Sequence, residues 1–246
     1  MNNLFIILAA ILIAGINAKF PDDPKPCKYG DSECITKVIN YLIQQKSEGE
    51  SSLNLVKIDP LAVSKIGIKQ GEDSPVNIDL KFTNNLIYGF KDAVVSKVKG
   101  FGKDLTQKHE VVMKFKYVSM IGDYSINGKV LILPISGTGK SNITLINYDL
   151  KIMFSGTPLK RNGETYMKIE NLKIDIIPER LIYNFSNLFN GDKELGDNMN
   201  LFLNENWKDI FNEVKVSFVS AFAQIFQSVI NNVFEKYPYE KYFANE

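Results

Sequence analysis

Apolar residues follow three successive rhythms along the chain. From Cys34 to about Gln45, Ile35, Val38, Ile39, Leu42 and Ile43 recur every three or four positions, which predicts a short amphipathic helix. Between about Leu55 and Ile177 the period falls to two. Val76, Ile78, Leu80 and Phe82 alternate with Asn77, Asp79, Lys81 and Thr83. The alternation returns at Val111, Met113, Phe115 and Tyr117, at Thr144, Ile146, Tyr148, Leu150, Ile152 and Phe154, and at Leu172, Ile174 and Ile176. Successive strand side chains point to opposite faces, so these runs predict an antiparallel sheet with one apolar face. Asn127-Gly128, Gly137-Thr138-Gly139 and Arg161-Asn162-Gly163 supply turn chemistry between them.

The third rhythm is helical and long. From about Asn198 to Tyr237, Phe211, Val214, Phe218, Phe222, Ile225, Val229 and Val233 step by three or four, and Pro238 marks the stop. A helix of about 40 residues would run about 60 Å. Between Ser217 and Phe234 no side chain is charged, and Val219, Phe226, Ile230 and Phe234 widen the apolar stripe. Gln224, Gln227, Asn231 and Asn232 would be costly in hydrocarbon, which argues against a membrane span. The expected architecture is therefore α+β: a long C-terminal helix wrapped by a highly curved antiparallel sheet, forming one domain over residues 19–246.

The first 18 residues do not belong to that pattern. Met1 to Ala18 carries no charged side chain, and its apolar run from Leu4 to Ile16 is short for a bilayer span. Small residues precede Lys19, as signal peptidase requires, so the segment reads as a secretory signal peptide rather than an anchor. Export to an oxidising compartment makes Cys27 and Cys34, the two cysteines of the chain, most simply a disulfide. It also makes the sequons Asn142-Ile143-Thr144 and Asn184-Phe185-Ser186 glycosylation candidates.

Composition narrows the chemistry. In 246 residues, 29 Lys and Arg balance 28 Asp and Glu, so no field of one sign exists to hold a nucleic acid. A single histidine excludes His-rich metal centres and most proton relays. Gly137-Thr138-Gly139-Lys140-Ser141 imitates the end of a phosphate-binding loop, but Pro134 stands where the first glycine should be and strand-like residues follow, so a β-turn is expected. His109 lies in the polar stretch Thr106–Glu110 with neither GxSxG nor a reactive cysteine, and is expected to face solvent. Asp192, Glu194 and Asp197 miss the calcium-loop spacing and read as a turn before the last helix. What remains is 16 Phe, 11 Tyr and one Trp, equally suited to a core or to an elongated apolar cavity.

Several motifs in order resemble the takeout and juvenile-hormone-binding-protein family of secreted insect proteins across essentially all of residues 19–246. They are the Cys27 and Cys34 pair, Ile58-Asp59-Pro60-Leu61 with Gln70-Gly71, Gly122-Asp123-Tyr124 with Gly128, and Leu131-Ile132-Leu133-Pro134 with Gly137-Thr138-Gly139. Leu188-Phe189-Asn190-Gly191, Leu195, Asn200 and Asn204 to Trp207 complete the set. The resemblance implies a monomeric extracellular carrier without catalysis or cofactor, holding a juvenile hormone, another terpenoid or a fatty-acid-like lipid in an internal tunnel. Stable membrane insertion and nucleic-acid binding are not expected. Hormone-binding members carry a second disulfide that this chain lacks, which places it nearer the takeout branch. Many members also have a proline midway through the last helix where Lys215 and Val216 stand, so a weaker kink is expected there. The expected tunnel lining is Phe82, Phe115, Tyr117, Tyr148, Phe154, Phe211, Phe218 and Phe222, with Tyr117 and Tyr148 offering hydrogen bonds. A protein-interaction module with a filled core and no ligand is the alternative.

Overall fold

The computed structural model describes residues 20–71 and 74–244. The segment read as a signal peptide, 1–18, lies outside them. Helix α1 (Ser32–Gln45) is followed by strands β1 (Leu61–Lys69), β2 (Val76–Tyr88), β3 (Val94–Lys99), β4 (Lys108–Val130), β5 (Leu133–Arg161), β6 (Glu164–Ile169) and β7 (Lys173–Phe185). Helices α2 (Lys193–Glu205) and α3 (Trp207–Phe234) close the chain. The spine of the single antiparallel sheet is the β4–β5 hairpin. β3 and then β2 pair with successive stretches of the outer edge of β4, β1 pairs with β2, and β7 and β6 share the outer edge of β5. The sheet curls around α3, which touches β1, β2, β6 and β7.

The curl has a local cause. In six strands the in–out alternation breaks once, leaving two neighbours facing outward together or nearly so: Ser64 and Lys65, Thr83 and Asn84, Ser96 and Lys97, Lys116 and Tyr117, Ile146 and Asn147, Glu179 and Arg180. Asn84 and Asn147 adopt left-handed backbone at φ 53° and 44°, a region asparagine tolerates better than most residues. Asn84 and Asn85 oppose the single Gly122, a bulge that bends the strand. A Cβ on Gly122 would lie 2.4 Å from Asn85 Oδ1, so only glycine fits. Lys116, Asn147 and Glu179 fall on one line across β4, β5 and β7, and Asn147 Nδ2 donates to Glu179 Oε2 at 2.9 Å.

Three sequence expectations need correction here. Of the three turn signals, only Arg161-Asn162-Gly163 makes a hairpin, with Asn162 and Gly163 both at positive φ. Asn127-Gly128 and Gly137-Thr138-Gly139 lie inside β4 and β5, whose connection is the two-residue turn Leu131-Ile132. Their glycines serve close approach instead: a Cβ on Gly128 would lie 2.1 Å from Asn77 O, and one on Gly139 2.5 Å from Ser186 O. The phosphate-loop mimic is therefore strand, not turn. The long helix is two helices parted at Asn206, whose side-chain amide donates to Phe202 O at 2.9 Å and competes with the helical ladder. At 28 residues, α3 spans about 42 Å.

Polar residues on the helices have a specific use. Asn204 Oδ1 accepts from Tyr183 N at 2.9 Å while its Nδ2 donates to Tyr183 O at 2.8 Å. Asn200 does the same to Phe185, and Asn231 to Ile169. On α1, Asn40 brackets Val95 in the same way, at 2.8 and 3.4 Å. Each carboxamide thus imitates a missing strand neighbour for the free edge of β7, β6 or β3. Gln227 adds a bond from Leu172 N at 3.1 Å. Two of the residues that argued against a membrane span, Gln227 and Asn231, are satisfied this way. Replacing Asn204 by alanine orphans both backbone groups of Tyr183. We expect a loss of about 2–3 kcal/mol in urea unfolding, against under about 0.5 kcal/mol for Asn232→Ala on the exposed face of α3.

Candidate functional site

A cavity of about 290 Å³ opens between α1, the C-terminal half of α3 and the inner face of the sheet. The apolar stripe of α1, Ile35, Val38, Ile39, Leu42 and Ile43, forms one wall. Phe226, Val229, Ile230, Val233 and Phe234 of α3 form the second, and Val111, Met113, Phe115, Ile152 and Phe154 form the floor. The N-terminal strap Phe20–Cys27 and the C-terminal Tyr242 and Phe243 frame the mouth. The Cys27–Cys34 disulfide ties the strap to α1, and Cys27 O accepts from Ala244 N at 2.8 Å, so both chain ends are fastened together there. Tyr242 donates its hydroxyl to Val233 O, which keeps that oxygen out of the chamber.

A second cavity of about 30 Å³, room for a water molecule or two, lies deeper along α3. Phe90 and Phe226 border both cavities, and their rings meet edge to face at 5.8 Å. These two side chains form the partition. Tyr148 borders the inner cavity and stacks on Phe115 at 4.7 Å. Burial pushes its hydroxyl pKa far up, so it stays protonated as a hydrogen-bond donor.

The anticipated lining residues separate into groups. Phe115 and Phe154 border the main chamber. Tyr148, Phe218 and Phe222 border the inner one. Phe82 and Phe211 are buried against Phe185 and Phe218 and border neither. Tyr117 is on the outer face at 51% exposure, because the break in alternation at Lys116 turns it away from the interior. There it joins Leu86, Tyr88, Ile121 and Ile182, also partly exposed. Asn142 and Asn184, the sequon asparagines, are cross-strand partners on β5 and β7, and Asn142 Oδ1 accepts from the hydroxyls of Ser119 and Thr144. The α1 wall was visible as an amphipathic stripe but carried no sign of which surface it would meet.

His109 is 1% exposed, not at the surface as the sequence suggested. The segment before β4 folds back over it: Phe101 N donates to Nδ1 at 2.9 Å, and Nε2 donates to Leu105 O at 2.9 Å. Both ring nitrogens are taken by backbone, and the ring packs between Phe101 and Phe154, behind the chamber lining. No lone pair is left to activate a nucleophile.

An apolar chamber with one open mouth, set between helices and a curled open sheet and without a reactive group aimed into it among the described residues, has the walls of a site for oily molecules. The chain belongs to the haemolymph juvenile hormone binding protein family, whose model matches residues 5–244. It is 28% identical over 232 residues to the circadian clock-controlled protein daywake of Drosophila melanogaster, covering 92% of this chain and 89% of that one. The daywake protein of Drosophila yakuba is 26% identical over the same coverage. Among solved structures, Takeout 1 of Epiphyas postvittana superposes with a TM-score of 0.75 at 25% identity, covering 90% of this chain and 99% of that one.

Burial lowers the pKa of His109, so the folded protein resists the proton that the unfolded chain binds below the ordinary imidazole value. The unfolded state then holds more protons, and stability falls as pH drops through the mid-6 range. As the chain has one histidine, no other side chain has its ordinary titration in that window. The urea midpoint should fall between pH 7 and pH 5, and His109→Gln should flatten that slope.

Proposed function

We propose that this protein is a secreted carrier that sequesters a small hydrophobic molecule in the main chamber without altering it. The observation that carries this reading is the 290 Å³ chamber and its apolar walls. Each 100 Å² of apolar ligand surface removed from water there contributes about 2.5 kcal/mol, before the cost of immobilising the ligand. Terpenoids, among them the juvenile hormone of the family description, and fatty-acid-like lipids suit such walls. Export is supported by the leader-like residues 1–18 and by the disulfide of Cys27 and Cys34. The donor hydroxyl of Tyr148 gives the far end of the cavity system one polar contact for a long ligand.

A filled core without a ligand would leave no void of this size, so the carrier reading is the better supported of the two. The test is saturable binding of an apolar fluorescent probe, together with native mass spectrometry of protein taken from its own secretion. We expect Met113→Trp, which fills the floor of the chamber, to weaken the probe at least about tenfold while leaving a cooperative unfolding transition. Failure of the folded wild-type protein to bind the probe saturably would remove the carrier role.

A further inference from the structure

The chamber mouth carries a charge that the fold does not use. Among the described residues bordering the cavity, Lys25 is the one with a charged side chain. It makes no hydrogen bond or ion pair with any described residue, whereas Asp23, two positions away, is engaged by the Tyr41 hydroxyl at 2.6 Å. Lys25 stands between Pro24 and Pro26, whose rings fix φ, and the next residue is Cys27, held by its disulfide and by the bond from Ala244 N. The backbone that presents this ammonium is thus stiff and anchored, while its long stem can lie along the apolar rim with the charge in water.

Resting on the carrier reading, we propose that the ligand is amphipathic and anionic: a chain whose apolar tail fills the chamber and whose carboxylate meets Lys25 at the mouth. The chamber walls alone accept any oil, so they cannot choose between an acid and its neutral analogues. An unpaired cation at the rim supplies that choice through a charge-assisted hydrogen bond, made where the head group still keeps part of its water. One positive charge suits one carboxylate better than a doubly charged head group, which would want a second cation.

The experiment is displacement of an apolar probe from the protein beginning at Lys19, at pH 8, by tetradecanoic acid, its methyl ester and tetradecanol. The quantity read is the ratio of acid affinity to alcohol affinity. Lys25→Gln should lower that ratio about three- to fivefold, and Lys25→Glu should lower it further. Ester and alcohol affinities should hold. Lys28→Gln, at an exposed lysine just after the strap that does not border the cavity, should leave the ratio unchanged. A ratio that does not move in either Lys25 variant overturns the head-group assignment and leaves the carrier intact. Wild-type protein that binds neither the probe nor any of the three lipids overturns both.

Discussion

An open sheet curled around a helix must satisfy the backbone groups along its unpaired edges, and the rest of this structure depends on how that is done. Four asparagines, on three different helices, each present one acceptor and one donor to a single edge residue: Val95 on β3, Ile169 on β6, Tyr183 and Phe185 on β7. A carboxamide has the same donor–acceptor pair as a peptide unit, so the helices dock as if they were further strands. This fixes how far each helix stands from the sheet as well as which face it turns inward.

The chamber follows from that spacing. α1 is held to β3 by Asn40, to Ala93 just before β3 by Gln44 and to the strap by the disulfide, and the C-terminal half of α3 is held to β6 by Asn231. Between these fixed lines the two apolar stripes face each other across the sheet floor without filling the space between them. Further along α3, Phe211 meets Phe218 edge to face and Phe218 stacks on Phe222, and there the void narrows to the small inner cavity, so the main chamber is confined to one end of the roll. Partly exposed aromatic residues on the outer face of the sheet play no part in it.

Period-two and helical rhythms were enough to read the fold class, while the family was legible through an ordered set of motifs it resembles and the disulfide through two nearby cysteines behind a leader-like segment. What they could not carry was phase. Tyr117 continues the alternation begun at Val111, and nothing in Lys116-Tyr117 announces that the strand turns over there; the cause is the opposing Asn147, thirty positions away in sequence. Asn127-Gly128 has hairpin chemistry, yet its glycine is demanded by the neighbouring Asn77 carbonyl. His109 sits in a polar stretch, and only the return of Phe101 and Leu105 over it makes it interior. The α1 stripe was legible as amphipathic, but an apolar stripe that packs and one that walls a void look the same in sequence. In each case local pattern gave the element and a distant backbone atom decided its use.

The attachment of α1 has a mechanical implication. Its grip on the sheet consists of two bonds from Asn40 and one from Gln44, with the disulfide at its first turn as a pivot. Swinging the helix outward would sever those three bonds and uncover apolar surface, yet no helical turn and no strand ladder would have to unravel. That wall of the chamber is thus clipped on by side chains and tethered covalently at one end, a separable panel laid against a sheet whose own ladders do not depend on it.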